Sequence, residues 1–267
     1  MYSPFQIARK YIRYYLTASN GKGHGVHSPF VFDFIIHVLN DNRDYPEYAR
    51  IEGMRQQLLQ DRTVLEIEDM GAGSAVSRTK RRSVGDLARH AAKPKKLGQL
   101  LFRIARYYQP GSIVELGTSL GLSTAYLATG SGKRVISIEG AAAVAAVAEK
   151  NLRSLDLYGP GSTELIRGNF DEVLPEVLAG PGLLDFAFID GNHRREPTLR
   201  YFETLMSRRS SSAVFIFDDI HWSEEMEEAW EVIRKDPRVY LTVDLFFIGL
   251  VFFRDEFKIK QDFVVRF

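Results

Sequence analysis

The chain has 267 residues, 45% hydrophobic and 26% charged, with a net charge of +1 at neutral pH. That length admits one large domain or one domain with an appendage, and the near-neutral balance predicts no general attraction to nucleic acid or to an anionic membrane. The absence of cysteine excludes disulfides, thiolate metal sites and cysteine nucleophiles, and no apolar run is long enough to span a bilayer, so a cytoplasmic location is expected.

Residues 1–95 differ in character from the rest. Phe5, Ala8, Ile12, Tyr15 and Leu16 share one helical face and should pack inward. Ser28-Pro29 offers an N-cap followed by proline at the first helical position, and Val31, Phe34, Ile35, Val38 and Leu39 continue a second helix. A third helix is expected from Tyr48 to Gln60. The glycine-rich stretch Gly21 to His27 reads as a loop with solvated histidines. Ile67 to Lys96 is the most irregular segment. Its Gly71-Ala72-Gly73-Ser74 run precedes Arg78, Lys80, Arg81 and Arg82, with Lys93, Lys95 and Lys96 following. A basic run of this kind reads as a mobile loop or lid over a site. Read as an RNA-binding surface, it lacks interleaved aromatics.

From Leu97 the pattern is regular. Leu97, Leu100, Leu101, Ile104 and Ala105 mark an amphipathic helix closed by Pro110-Gly111. Short strands follow at Ile113–Leu116, Arg134–Ile138, Glu164–Arg167, Leu184–Ile189 and Ala213–Phe217, each followed by a helical stretch. Val239–Leu245 and Ile248–Phe253 read as a closing antiparallel pair. Alternation of this kind predicts right-handed crossovers and a mostly parallel α/β sheet. The boundaries expected are a helical cap over 1–95 and an α/β domain over 96–267.

In such a sheet the strand ends lie on one edge. The acidic or amide residues Glu115, Glu139, Asn169, Asp190 and Asp218-Asp219 therefore converge on one crevice. Between the first strand and its helix, Gly117-Thr118-Ser119-Leu120-Gly121 gives a turn of small residues at a helix start, suited to a nucleoside ligand. It is not the G-x-G-x-x-G of dinucleotide sites, and no Gly-Lys-Ser/Thr follows as in a P-loop. Glu139 lies about 20 residues beyond the turn, the spacing of a ribose-hydroxyl acceptor, which fits either an adenosyl group or NAD.

Glu115-x-Gly117-x-x-x-Gly121-x-Ser123 resembles the first motif of class I S-adenosylmethionine (SAM)-dependent methyltransferases. The resemblance covers about residues 97–254 and implies a Rossmann-like, seven-stranded, mostly parallel sheet with helices on both faces. It implies that Glu115, Gly117, Thr118, Ser119, Gly121 and Ser123 line the methionine end of SAM. Glu139 and Gly140 would bind the ribose, and Asn169-Phe170 would face the adenine, with Asn169 standing where many members carry Asp.

Ile189-Asp190-Gly191-Asn192-His193 and Phe217-Asp218-Asp219-Ile220-His221 resemble a narrower branch, the cation-dependent O-methyltransferases of the catechol and caffeoyl-CoA type. There Asp190, Asp218 and Asp219 would bind Mg²⁺ or another divalent cation, with His193 or His221 as a general base. In the alternative, Asp190 binds the cofactor amine and Asp218-Asp219 cap structure without a metal. The expected reaction is in-line methyl transfer to the hydroxyl of a small-molecule acceptor. Competing readings are an RNA or protein methyltransferase using the basic 78–96 segment, and a nucleotide-binding protein without methyl transfer. Phe263-Val264-Val265 and Phe246-Phe247 point to a contact surface, as in a homodimer.

Overall fold

The computed structural model describes residues 1–68 and 79–267. Gly71-Ala72-Gly73-Ser74 and Arg78 lie outside the described residues. The first helix, α1 (Pro4–Thr17), starts where the Ser3 hydroxyl accepts from the Gln6 N–H and the Gln6 side chain returns to the Ser3 amide. Ser28 and Pro29 start α2 (Pro29–Phe34), which runs into a π-helical turn, Ile35–Leu39. Then come α3 (Pro46–Gln60), strands β1 (Val64–Glu68) and β2 (Thr79–Ser83), α4 (Val84–His90) and α5 (Lys95–Tyr108). The α/β alternation follows with β3 (Ile113–Leu116), α6 (Leu122–Ser131), β4 (Val135–Glu139), α7 (Ala142–Ser154), β5 (Thr163–Arg167) and α8 (Phe170–Leu178). It continues through β6 (Leu184–Ile189), α9 (Arg195–Met206), β7 (Arg209–Asp218) and α10 (Glu224–Lys235). The chain ends with β8 (Leu241–Asp244), β9 (Ile248–Phe252) and β10 (Gln261–Val264).

By packing, the chain divides into two units, Asn42–Gly180 and Met1–Asp41 with Pro181–Phe267. The composition change near residue 95 coincides with neither boundary. In the central unit β3, β4 and β5 are adjacent and parallel. In the other, the order is β10-β8-β9-β7-β6, with β6–β7 and β8–β10 parallel and β9 antiparallel to both its neighbours. The fold is thus α/β, Rossmann-like and mostly parallel, as the alternation predicts. Strands β3–β10 number one more than the seven expected, the addition being β10, four residues alternating in burial, and the β1–β2 hairpin was not expected either.

The basic stretch is more ordered than a loop where it is described. Lys80, Arg81 and Arg82 lie on β2, antiparallel to β1, with Arg81 opposite Glu66. That cross-strand pairing of opposite charge stabilises the hairpin locally. Lys95 and Lys96 open α5.

The central unit's helices close on a core that includes Tyr48, Met54, Leu58, Phe102, Leu122, Tyr126 and Leu152. Here α5 and α6 cross at van der Waals distance because each carries a glycine at the crossing. A Cβ on Gly98 would fall 2.4 Å from the Tyr126 ring, and one on Gly130 would fall 2.5 Å from the Phe102 carbonyl oxygen. The backbone cannot yield as a side chain would. Gly130→Ala should therefore cost about 2 kcal/mol despite alanine's better helix propensity, read as a lowered urea midpoint at unchanged slope. A midpoint equal to or above the parent's would show that this crossing is not tight.

Helix α1 corrects the sequence expectation. The face formed by Phe5, Ala8, Ile12, Tyr15 and Leu16 is exposed, whereas Tyr14 is buried and Ile7 and Tyr11 are half-buried against Phe246. The Tyr14 hydroxyl donates to the Val265 carbonyl at 2.5 Å, and the Tyr11 and Phe246 rings meet edge-on at 5.1 Å. Phe246 and Val265 are consequently buried within the chain, leaving Phe247 and Val264 as the exposed part of the expected contact surface. Among the described residues, no helix is long and apolar enough to cross a membrane.

Candidate active site

In the central unit, the turn between β3 and α6 is built on positive φ angles at Gly117 (100°), Ser119 (48°) and Gly121 (84°). Gly121 has a second constraint, since a Cβ there would lie 3.3 Å from Leu152 Cγ. Two carboxylates hold this turn. Glu139, at the end of β4, accepts the Ser119 N–H on Oε2 and the Ala141 N–H on Oε1, both at 2.9 Å. One half-buried carboxylate thus clamps two strand-to-helix turns, that of Gly117–Gly121 and its own with Gly140. Glu115 lies beneath, fully buried. Its Oε2 accepts from Thr124 Oγ1 at 2.5 Å and Ser137 Oγ at 2.6 Å, and Ser137 Oγ lies 2.5 Å from Thr118 Oγ1.

The expectation that Glu115 lines the ligand therefore meets a different geometry, with its carboxylate turned into the fold under the turn. Thr118 and Ser123 are buried with it, while Gly117, Ser119, Glu139 and Gly140 keep partial exposure. Asn169 has a role the sequence reading did not foresee. Its Oδ1 accepts the Asp171 N–H at 2.9 Å and so caps α8, whose first residue is the half-buried Phe170.

In the other unit, the parallel neighbours β6 and β7 end in Asp190 and Asp218. After β6 the chain turns through Asn192 (φ 67°) and His193 (φ 27°), non-glycine residues in a backbone region that must be held by their surroundings. Asn192 Nδ2 donates to the Tyr201 hydroxyl at 3.0 Å, which is one such restraint. Asp190, His193 and Asp218 each offer a ligand atom, and these three atoms lie within 4.8 Å of one another. Asp219, expected as the third carboxylate, is not in this group. It takes a left-handed turn (φ 54°) and donates its N–H to the Phe247 carbonyl at 2.7 Å.

Replacing a carboxylate by an imidazole changes the chemistry of the set. Two carboxylates and one neutral imidazole suit a divalent cation of the Mn²⁺, Fe²⁺ or Zn²⁺ kind as well as Mg²⁺. Burial alone would lower the His193 pKa. The hydrogen bond to Asp190 and the charges of Asp190, Asp218 and Asp219 outweigh that and push it up to about 9. The acidic surroundings thus demand a positive charge here, whether a proton on His193 or a cation.

His221 is arranged differently. Its Nδ1 lies 2.9 Å from Glu227 Oε1 and its Nε2 2.8 Å from Asp244 Oδ2, with the ring stacked on Phe246. A ring donating to carboxylates through both nitrogens is an imidazolium with neither nitrogen available to take a substrate proton. Glu227 also receives the Lys10 ammonium at 2.9 Å and the Tyr2 hydroxyl at 2.8 Å, tying α1 to α10.

Burial opposes the charge on His221, but the bonds to Asp244 and Glu227 prevail and raise its pKa above 6.5. Burial likewise opposes the charge on Glu227, whose bonds to Lys10, Tyr2 and His221 hold it below 4.5. The histidine's contribution to stability is complete below its unfolded value and fades as pH rises through the folded one; the glutamate's is complete above its unfolded value and fades on acidification. His221→Gln should therefore cost about 2 kcal/mol between pH 4.5 and 6.5, and less at alkaline pH. Thermal melts of both proteins across this range check it, and a pH-independent difference would contradict an ionic role.

Residues 114–220 match a family described as a methyltransferase domain. The chain is 38% identical over 84 residues to a transmembrane O-methyltransferase homologue of Rattus norvegicus, an alignment covering 31% of this chain and 32% of that protein. It is 32% identical over 127 residues to a catechol O-methyltransferase of Niastella koreensis, covering 46% of this chain and 55% of that one. The chain thus spans between about a third and about half of these relatives. In structure it is similar to an O-methyltransferase from Bacillus cereus in complex with SAH (S-adenosylhomocysteine). The TM-score is 0.57 at 21% identity, over 83% of this chain and 97% of that one. The fold is thus similar to that of this O-methyltransferase, and the matched segment is that of a methyltransferase domain.

Proposed function

We propose that this chain, whose residues 114–220 form a methyltransferase domain, is a SAM-dependent O-methyltransferase that acts on a small-molecule hydroxyl with help from a divalent cation. The observation that carries the reading is the grouping of Asp190, His193 and Asp218 at the ends of adjacent parallel strands. The same chain carries a glycine turn clamped by a strand-end glutamate, as a nucleoside site requires.

The donor side rests on the central unit. SAM, when bound, supplies a sulfonium methyl that needs no covalent help from the protein. Glu139 fits the ribose, since its backbone partners leave a half-buried carboxylate that can accept from vicinal hydroxyls. Ser119 and Gly117 present the turn to the methionine end, and Glu115 fixes that turn from below. Asn169 and Phe170 flank the adenine position, the first by its amide and the second by its ring face.

The acceptor side rests on Asp190, His193 and Asp218, which would hold the cation, Asp190 being the residue shared with the cofactor amine in the competing assignment. A divalent cation bound there lowers the pKa of a coordinated hydroxyl and fixes its direction. With its pKa near 9, His193 is mostly protonated at neutral pH before any cation binds. A proton acceptor must be deprotonated to begin with, so His193 serves better as a ligand whose proton would be displaced to solvent as a cation bound. His221 serves as the tether of α1. The N-terminal helices within 1–95 shape acceptor recognition, and the catalytic domain spans 96–267.

The test is transfer of labelled methyl from SAM to a catechol-type diol by the full chain, with added Mg²⁺ or Mn²⁺ and with EDTA. Product formed with the cation and suppressed by EDTA is the expected result. Product formed equally under EDTA would remove the cation from the proposal, and no transfer to any hydroxyl acceptor would refute the O-methylation itself.

A further inference from the structure

Helix α1 has two apolar faces and uses one. Its inner face, through Tyr14 and Tyr11, docks on Phe246. Its outer face presents Phe5 at 78%, Leu16 at 71%, Ile12 at 59% and Tyr15 at 51% exposure. In helical projection these four side chains form one continuous stripe, with Arg9 and Arg13 along one border, both exposed.

The charge pattern identifies what such a stripe fits. Residues 1–32 contain Arg9, Lys10, Arg13 and Lys22 and no aspartate or glutamate, although the whole chain is nearly neutral. Lys10 is spent inward on Glu227, which leaves the guanidinium groups beside the apolar stripe. An apolar stripe edged by cations, with no carboxylate near it in sequence, matches the boundary between acyl chains and anionic headgroups. A second copy of the chain fits less well, because the helix brings no acid to meet its partner's arginines. Spanning is excluded by length, as 14 residues reach only about 21 Å.

We propose that the outer face of α1 is a membrane-surface site, by which the protein lies on anionic lipid with Phe5, Ile12 and Leu16 in the acyl boundary. The helix is already formed and held by its Ser3–Gln6 capping box, the Tyr14 bond to Val265 and the Lys10 and Tyr2 bonds to Glu227. Binding therefore needs no folding step, so little of the interaction is lost to ordering.

The experiment is co-sedimentation of the full chain with vesicles of phosphatidylcholine, alone or with phosphatidylglycerol. Partition onto the phosphatidylglycerol vesicles at low salt, much weaker on phosphatidylcholine alone, is expected. Phe5→Glu with Leu16→Glu should lower that partition on the order of a hundredfold without changing the melting temperature, both residues being exposed. Arg9→Gln and Arg13→Gln should lower it about fivefold each. Since the chain has no cysteine, a single environment-sensitive label on Leu16→Cys gives a second reading, a shift to apolar emission when vesicles are added. Absence of partition, or of the shift, would overturn the proposal. So would sedimentation velocity showing a dimer that the double glutamate variant dissociates, which would assign the face to a second copy.

Discussion

Asp218→Asn should lower kcat for hydroxyl methylation roughly a thousandfold while leaving affinity for S-adenosylhomocysteine within about twofold. Asp218 is almost wholly buried at the end of β7 and shares one site with Asp190 and His193. Asparagine keeps the shape and removes the charge, so the loss reports on cation binding rather than on packing. Loss of a buried carboxylate also removes part of what holds the His193 proton, and the His193 pKa should fall from about 9. Steady-state kinetics with varied Mn²⁺ and an NMR titration of the imidazole check both halves. A variant with full activity and an unmoved histidine would remove Asp218 from the chemistry.

The second large effect is expected at Glu139. Glu139→Ala removes the carboxylate proposed to hold the ribose and, with it, the acceptor for the Ser119 and Ala141 amides. Hydrogen bonds to a charged group are worth about 1.5–3 kcal/mol each, so affinity for S-adenosylhomocysteine should weaken on the order of a hundredfold, with a lower melting temperature. Glu115→Gln separates the two roles. Buried under the turn, it should cost stability through Thr124 and Ser137 and change ligand affinity far less. Equal affinity losses in the two variants would mean that the clamp, and not contact with ligand, is what matters at Glu139.

What the sequence could disclose followed from local rules. The turn Gly117–Gly121 and the acids after each strand were visible because α/β topology sends every strand end to one edge. The resemblance of the Asp190 and Asp218-Asp219 segments to cation-dependent O-methyltransferases implied Asp190, Asp218 and Asp219 as a ligand set, whereas the structure groups His193 with Asp190 and Asp218. That depends on left-handed backbone at Asn192, His193 and Asp219, which residue type alone does not announce.

His221 was ambiguous for a related reason. Its two carboxylate partners lie 6 and 23 residues away, and the pairing exists only once α10 and β8 are in place. The face of α1 was misread because periodicity finds apolar stripes without saying which of two is covered. Strand β10 escaped because four residues alternating between half-buried and exposed carry little hydrophobic signal. Asn169 shows the opposite limit, since an amide read as a ligand contact already serves as a helix cap, and both uses are open to its oxygen.

The most direct test of the central claim is calorimetric titration of the full chain with S-adenosylhomocysteine, run beside NAD and beside the Glu139→Ala variant. The account predicts micromolar binding of S-adenosylhomocysteine, none of NAD, and a large loss in the variant. Binding of NAD in its place, or no binding of S-adenosylhomocysteine by the intact chain, would contradict it.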